Sequence, residues 1–151
     1  MAMTTLIVYA SIALGVSFLC SILEAVVLSI PHTYIAVLEK DGDKNGAVWG
    51  SLKEDDAVKP LTAILTLNTI AHTMGAAGVG SEVQSIWGEG ALTIASIILT
   101  IAVLFLSEII PKTLGTAYWK QLAPITGKIL AVIVRILAVI IVPIQMLKTI
   151  L

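Results

Sequence analysis

Charge is what this sequence has least of. Asp, Glu, Lys and Arg make up 13% of its 151 residues, against 58% that are apolar; an ordinary soluble domain carries about 25% charged residues. A water-soluble enzyme of this size would lack polar surface, and a disordered chain would need far lower hydrophobicity. Aromatic residues are also scarce, at 5%, which leaves few rings to hold an organic cation. Cysteine occurs once, at Cys20, so neither an intrachain disulfide nor a thiolate cluster can form. With a net charge of −1 and no Lys/Arg cluster, there is no footprint for nucleic acid. What remains is a chain whose solvent is largely the bilayer, and one domain is the default at this length.

The charges that are present sit in few places. Of the nine basic and ten acidic side chains, ten lie between Glu39 and Lys59, while residues 1–23, 60–81 and 90–107 carry none. Gaps of about 18 residues or more can cross the hydrocarbon core as helix. The first apolar run has no basic residue before Lys40 and is too long for a signal-peptide core, so it reads as a retained span that Pro31 ends. The run 31–60 reads as a solvated connection lying partly on the membrane surface. Thr33–Leu38 is helical there, Ala47–Leu52 more weakly so, and a Gly/Asp turn separates them. Its acidic pairs lack EF-hand spacing. Gly75, Gly78 and Gly80 suit a close helix crossing or an irregular end to the second span. Pro111 interrupts the third. The last apolar segment contains Lys128 and Arg135 and is broken by Pro143; an interfacial helix lets both cations snorkel to the headgroups.

The expectation is therefore an all-α, multi-pass protein of the cell membrane. Its three transmembrane helices lie at about 5–30, 61–80 and 91–110, with juxtamembrane or interfacial helices at about 32–58 and 121–148. Lys40, Lys44, Lys53 and Lys59 place the first connection in the cytoplasm, and the link 81–90 has no Lys or Arg. That puts the N-terminus outside and the C-terminus in the cytoplasm.

Polar groups inside spans are functional candidates by default. Ser17, Ser21 and Glu24 share one face of the first helix, and Asn68 and His72 share one face of the second beside a Thr stripe (Thr62, Thr66, Thr69, Thr73). The serines and threonines also suit helix packing, and a lone His72 reads better as a packed, hydrogen-bonded histidine than as a metal ligand. Glu108 precedes Pro111, which frees carbonyls near Ser107; an acidic group beside a broken helix builds ion sites. It could equally pair with Lys112 at i+4. Ser21, Asn68 and Glu108 together offer hydroxyl, amide and carboxylate oxygens, a set that selects hard cations such as Mg2+, Ca2+ or Na+.

At these residues the chain resembles the transmembrane domain of the CNNM/CorC family of magnesium transporters. SEIIPKTLG (107–115) is similar to that family's G-E-[IL]-[IVL]-P-K-[ST] motif, SILEAVVLS (21–29) to its S-x-S-E-T-A-L-x-S run, and ILTLNTIAHT (64–73) to I-L-x-x-N-N-x-x-N. Leu23, Ala25, Thr69, His72 and Ser107 stand where the family has Ser, Thr, Asn, Asn and Gly. The resemblance implies a homodimer of three-span protomers with a juxtamembrane belt, transporting Mg2+, with export coupled to Na+ influx. It implies that Ser21, Asn68, Glu108 and backbone near Gly115 contact the ion, and that Glu24 serves ion coupling or structure. The family's nucleotide-binding CBS-pair domain is not among these residues.

Two other readings compete with Mg2+ transport by alternating access: a proton-coupled exporter of small cations using Glu24, and a non-transporting membrane scaffold or regulator whose polar residues are interhelical glue. An enzyme is not expected, since no nucleophile–base pair or metalloprotease motif is visible.

Overall fold

Backbone groups in lipid must be satisfied within the segment, and helix does this residue by residue. The computed structural model, which describes residues 1–151, is built of helices without a strand. Helix α1 spans Ala2–Ser29 and stops where Ile30 and Pro31 turn extended. Helices α2 (His32–Lys40) and α3 (Lys44–Leu52) come next. Gly42 makes the turn between them with φ +71°, and the Asp43 carboxylate caps α3 by accepting from the Asn45 N–H at 2.9 Å. Helix α4 is Val58–Trp87, α5 is Leu92–Ala102, a π-helical segment covers Val103–Ile109, and α6 is Ile110–Ala117. Helices α7 (Trp119–Ile136) and α8 (Ala138–Ile150) complete the chain.

Two rods are long and apolar enough to cross a membrane: α1, and the continuous run Glu89–Ala117. The α7–α8 pair, bent by 82° at Leu137, would be a broken third. Helix α4 has 30 residues but is more polar, because Asn68, His72 and the Thr stripe sit in its middle. It packs along α1 in the most extensive helix pair of the fold.

Several local expectations are corrected. Helix α4 runs seven residues beyond Gly80, to Trp87, where Gly88 at φ +85° ends it. Its interior glycines mark a close crossing and not an end: a Cβ on Gly75 would run into that of Ala13, and one on Gly78 would lie 2.8 Å from the Tyr9 ring. Pro111 does not interrupt the third rod, which passes through a π-helical segment (Val103–Ile109) directly into α6 with Pro111 in its first turn. Pro143 lies inside α8, and the break falls at Leu137 instead. The connection 31–60 holds the two expected helices but is not solvated throughout: Trp49 of α3 is fully buried and donates its indole N–H to the Ala123 carbonyl of α7 at 2.8 Å.

The main apolar core lies at the C-terminal end of α1, where Leu23, Val26, Val27 and Ile30 meet Trp49 and Leu130. Lys53 closes that end by donating its ammonium to the Val27 carbonyl at 2.8 Å, one of the carbonyls a helix terminus leaves unpaired. Burial pulls the Lys53 pKa below the ordinary lysine value, with Asp56 pulling it back up.

The α1–α4 crossing gives a first prediction. Gly75→Val forces the two helices apart, and overpacking of this kind costs about 1–3 kcal/mol. Gly80→Ala meets only Leu92 Cδ2 at 3.7 Å and should be close to neutral. Thermal melts of the two variants in detergent check this; equal melting temperatures would contradict the crossing.

Candidate functional site

The register of α1 against its neighbours decides which polar groups meet. Ser17 Oγ and His72 Nε2 lie 2.7 Å apart, and Ala13 opposes Gly75, so α1 and α4 run antiparallel. One turn from the Ser17–His72 contact, α1 presents Ser21 and α4 presents Asn68 at the same level. The amide oxygen Oδ1 of Asn68 is buried and has no hydrogen-bond partner. It is the one buried side-chain polar atom in the chain left so. An orphaned carbonyl of this kind costs about 1–3 kcal/mol and calls for an explanation.

The π segment meets α1 at the same level. Ser21 Oγ donates to the Ser107 carbonyl at 2.6 Å, with both residues buried. Pro111 is the cause: it stands four residues after Ser107 and lacks the N–H that an α-helix would return to that carbonyl. Ser107 Oγ meanwhile bonds back to the Val103 carbonyl at 2.8 Å.

A pair of variants tests this compensation. Ser21→Ala leaves the Ser107 carbonyl buried without its donor, which should cost about 1–3 kcal/mol. Adding Pro111→Ala restores a backbone donor and should recover part of that loss in a thermal melt. If the double variant melts no higher than Ser21→Ala alone, the missing proline N–H is not what Ser21 compensates.

Glu108 stands directly after Ser107 and is half-buried. It forms no ion pair, and the i+4 pair with Lys112 is not made. Lys112 Nζ instead lies 3.5 Å from the Glu24 carboxylate, with the two side chains 45% and 35% exposed. At that exposure the pair contributes about 0–1 kcal/mol. It does give Glu24 a cationic partner and leaves Glu108 without one.

Gly115 is buried where α6 crosses α1. A Cβ there would lie 2.7 Å from Ala25 Cβ and 3.0 Å from the Ile22 carbonyl oxygen, so only glycine fits. The helix ends at Tyr118, whose N–H goes to Leu114. The later carbonyls of that turn, Gly115 among them, lack the next helical donors.

Nowhere do three or more His, Cys, Asp or Glu side chains come together as a metal cluster. The polar centre that does form is Ser21, the Ser107 carbonyl and Asn68 at one level on three segments, with Glu108 next in the chain. Its donors are oxygens, mostly neutral, and hard cations suit such a set.

A family model for the cyclin M transmembrane N-terminal domain matches residues 8–151. The chain belongs to that family. This cyclin M membrane domain is 28% identical over 127 residues to the UPF0053 protein sll1254 of Synechocystis sp., covering 84% of this chain and 35% of that protein. It is 28% identical over 115 residues to the DUF21 domain-containing protein At1g55930, chloroplastic, of Arabidopsis thaliana, covering 76% of this chain and 17% of that one. The chain thus spans about a third or less of the curated relatives it matches. The family is one of transmembrane domains.

Within the cyclin M domain the sequence-predicted residues divide in two. Ser21 and Asn68 come to one level, and the backbone next to Glu108 joins them. Gly115 and Glu24 sit further along α1, where Gly115 allows close packing and Glu24 meets Lys112. Sequence reasoning placed Ser17 and His72 on their helix faces but did not pair them. The signal available was that two antiparallel helices with polar residues at i and i+4 superpose both pairs once either one meets.

Proposed function

We propose that this domain carries Mg2+ across the cell membrane by alternating access, as the membrane part of a homodimeric transporter. In this reading α1, α4 and the Glu89–Ala117 rod are the three spans, the N-terminus faces outward, and α2, α3, α7 and α8 form the interfacial belt on the cytoplasmic side. The observation that carries it is the orphaned Asn68 carbonyl oxygen, held at the level of Ser21 beside a chain segment whose next residue is an unpaired glutamate. A desolvated amide oxygen and an unpaired carboxylate are costly in a bilayer unless something positive sits between them. A hard divalent cation supplies that charge. Ser21, Asn68, Glu108 and backbone oxygen near Gly115 would be the groups that hold it, with remaining positions kept by water, as Mg2+ prefers.

Proton-coupled export through Glu24 is less well supported, because Lys112 already compensates that carboxylate. Coupling of Mg2+ export to Na+ influx belongs to the proposal. The deciding measurement is Mg2+ flux in proteoliposomes. Flux that rises when a Na+ gradient is imposed in the opposite direction is expected. No Mg2+ flux under either condition would favour the scaffold reading, in which the same polar residues act only between helices.

A further inference from the structure

The α1–α4 seam is layered. Its first layer holds Ser21 and Asn68. One turn further towards the N-terminus of α1 lies the Ser17–His72 hydrogen bond, 2.7 Å long, with Ser17 fully buried. In the next layer Ala13 abuts Gly75, and after that the Tyr9 ring covers Gly78, where a Cβ would stand 2.8 Å from the ring. Neither layer leaves space between the helices for a cation, and the one polar side chain in them, Tyr9, packs its ring on Gly78. Beside them lies a cavity of about 280 Å3 lined by Tyr9, Ile12, Val16, Leu67, Ile70 and Met74. Such a lining offers a hydrated ion nothing to replace its water.

We propose that Ser17 and His72 form the outer closure of the ion path. This rests on the transport reading above. The pair is the last polar layer between the oxygen-lined centre and the tightly packed end of the seam. An ion leaving towards the N-terminal side of α1 passes only when α1 and α4 separate there, and that separation breaks this hydrogen bond first. The bond suits the task, since side-chain hydrogen bonds between spans are modest in strength and hold two helices without locking them. The packing of Ala13 on Gly75 then reseals the seam when the bond re-forms.

Cys20 is a built-in reporter. It is the chain's one cysteine, it is buried, and it lies on α1 between Ser17 and Ser21. The full chain is expressed in cells, and Cys20 is modified with a charged, membrane-impermeant methanethiosulfonate reagent, on intact cells and on inverted vesicles. Ser17→Ala and His72→Ala are each expected to raise the modification rate about tenfold from the side facing the N-terminus of α1, by enlarging the open population. The double variant should match the singles, since all remove one shared bond. His72→Gln, which can still bond to Ser17, should stay near the wild-type rate. The Mg2+ concentration giving half the thermal shift should not move in any of them.

Unchanged rates in both alanine variants would overturn the proposal. So would rates that rise equally from both sides, which marks general loosening, or a His72→Gln variant as fast as His72→Ala. A wild-type chain with no thermal response to Mg2+ would refute the transport reading instead, while the Cys20 rates would still report whether this pair closes the seam.

Discussion

Glu108→Gln abolishes the Mg2+-dependent rise in melting temperature and lowers Mg2+ flux to the background of empty liposomes: that is the largest effect expected of any single change at the oxygen-lined centre. The reasoning is electrostatic. The Ser21 hydroxyl, the Asn68 amide and the backbone carbonyls are neutral, and Glu24 is spoken for by Lys112. Glu108, next in the chain to Ser107 and without an ion pair, is then the carboxylate that the proposal assigns to the ion. Two unit charges at 4 Å interact by about 4 kcal/mol at an effective dielectric constant of 20, and a divalent ion doubles the charge on one side. Removing that term leaves oxygens that water can match. A ligand present at 100 times its dissociation constant stabilises the folded state by about 2.7 kcal/mol, and in a chain of this size each kcal/mol moves the melting temperature by about 2–4 °C.

The sign in the absence of Mg2+ separates this from damage. An unpaired half-buried carboxylate destabilises the empty protein, so Glu108→Gln should melt at or above wild type without the ion and fall below it with the ion. Asn68→Ala should behave in the same way, because it removes the orphaned oxygen along with a ligand. Variants that melt lower than wild type in both conditions would mean that these residues hold the fold together and do not bind the ion.

How much of the fold and the site was legible in the residues depends on the type of signal. Long charge-free runs gave α1 and the third span to about residue 110, though not its continuation to Ala117, because burial in lipid is a property of composition. The oxygen donors were legible individually, since polar groups stand out in such runs. Their meeting was not. Whether Ser17 faces His72 depends on the register of α1 against α4, and that is set by Gly75 admitting Ala13 and Gly78 admitting Tyr9, a three-dimensional fit. Prolines misled for a related reason. A proline removes one N–H, but its effect on the helix depends on whether another group supplies the donor, and at Pro111 the Ser21 hydroxyl does so. The charged connection misled because charge marks the exposed faces of α2 and α3 and says nothing about Trp49, which α3 turns onto α7.

Trp49 accordingly carries the second large prediction. Composition assigns residues 31–60 to a solvated connection, yet this indole is fully buried, bonds to the Ala123 carbonyl at 2.8 Å and lies against Gly127, where a Cβ would stand 2.7 Å from its ring nitrogen. It is the contact by which α3 grips α7. Trp49→Ala should therefore cost about 3–5 kcal/mol, the range for emptying a large aromatic site. Trp49→Phe keeps most of the apolar contact but loses the indole hydrogen bond to the Ala123 carbonyl, which inside α7 still accepts from Thr126 Oγ1 at 3.3 Å, and should cost about 0.5–1.5 kcal/mol. Gly127→Val attacks the same contact from the α7 side and should bring a loss comparable to overpacking elsewhere, about 1–3 kcal/mol. If α3 and α7 are joined through this contact, Gly127→Val should destabilise the Trp49→Ala background hardly at all, since the cavity accommodates the added methyls. Thermal melts of the two single variants and the double decide it. Fully additive losses would mean that Trp49 and Gly127 act separately and that the belt is held by the apolar cluster around Leu130 instead.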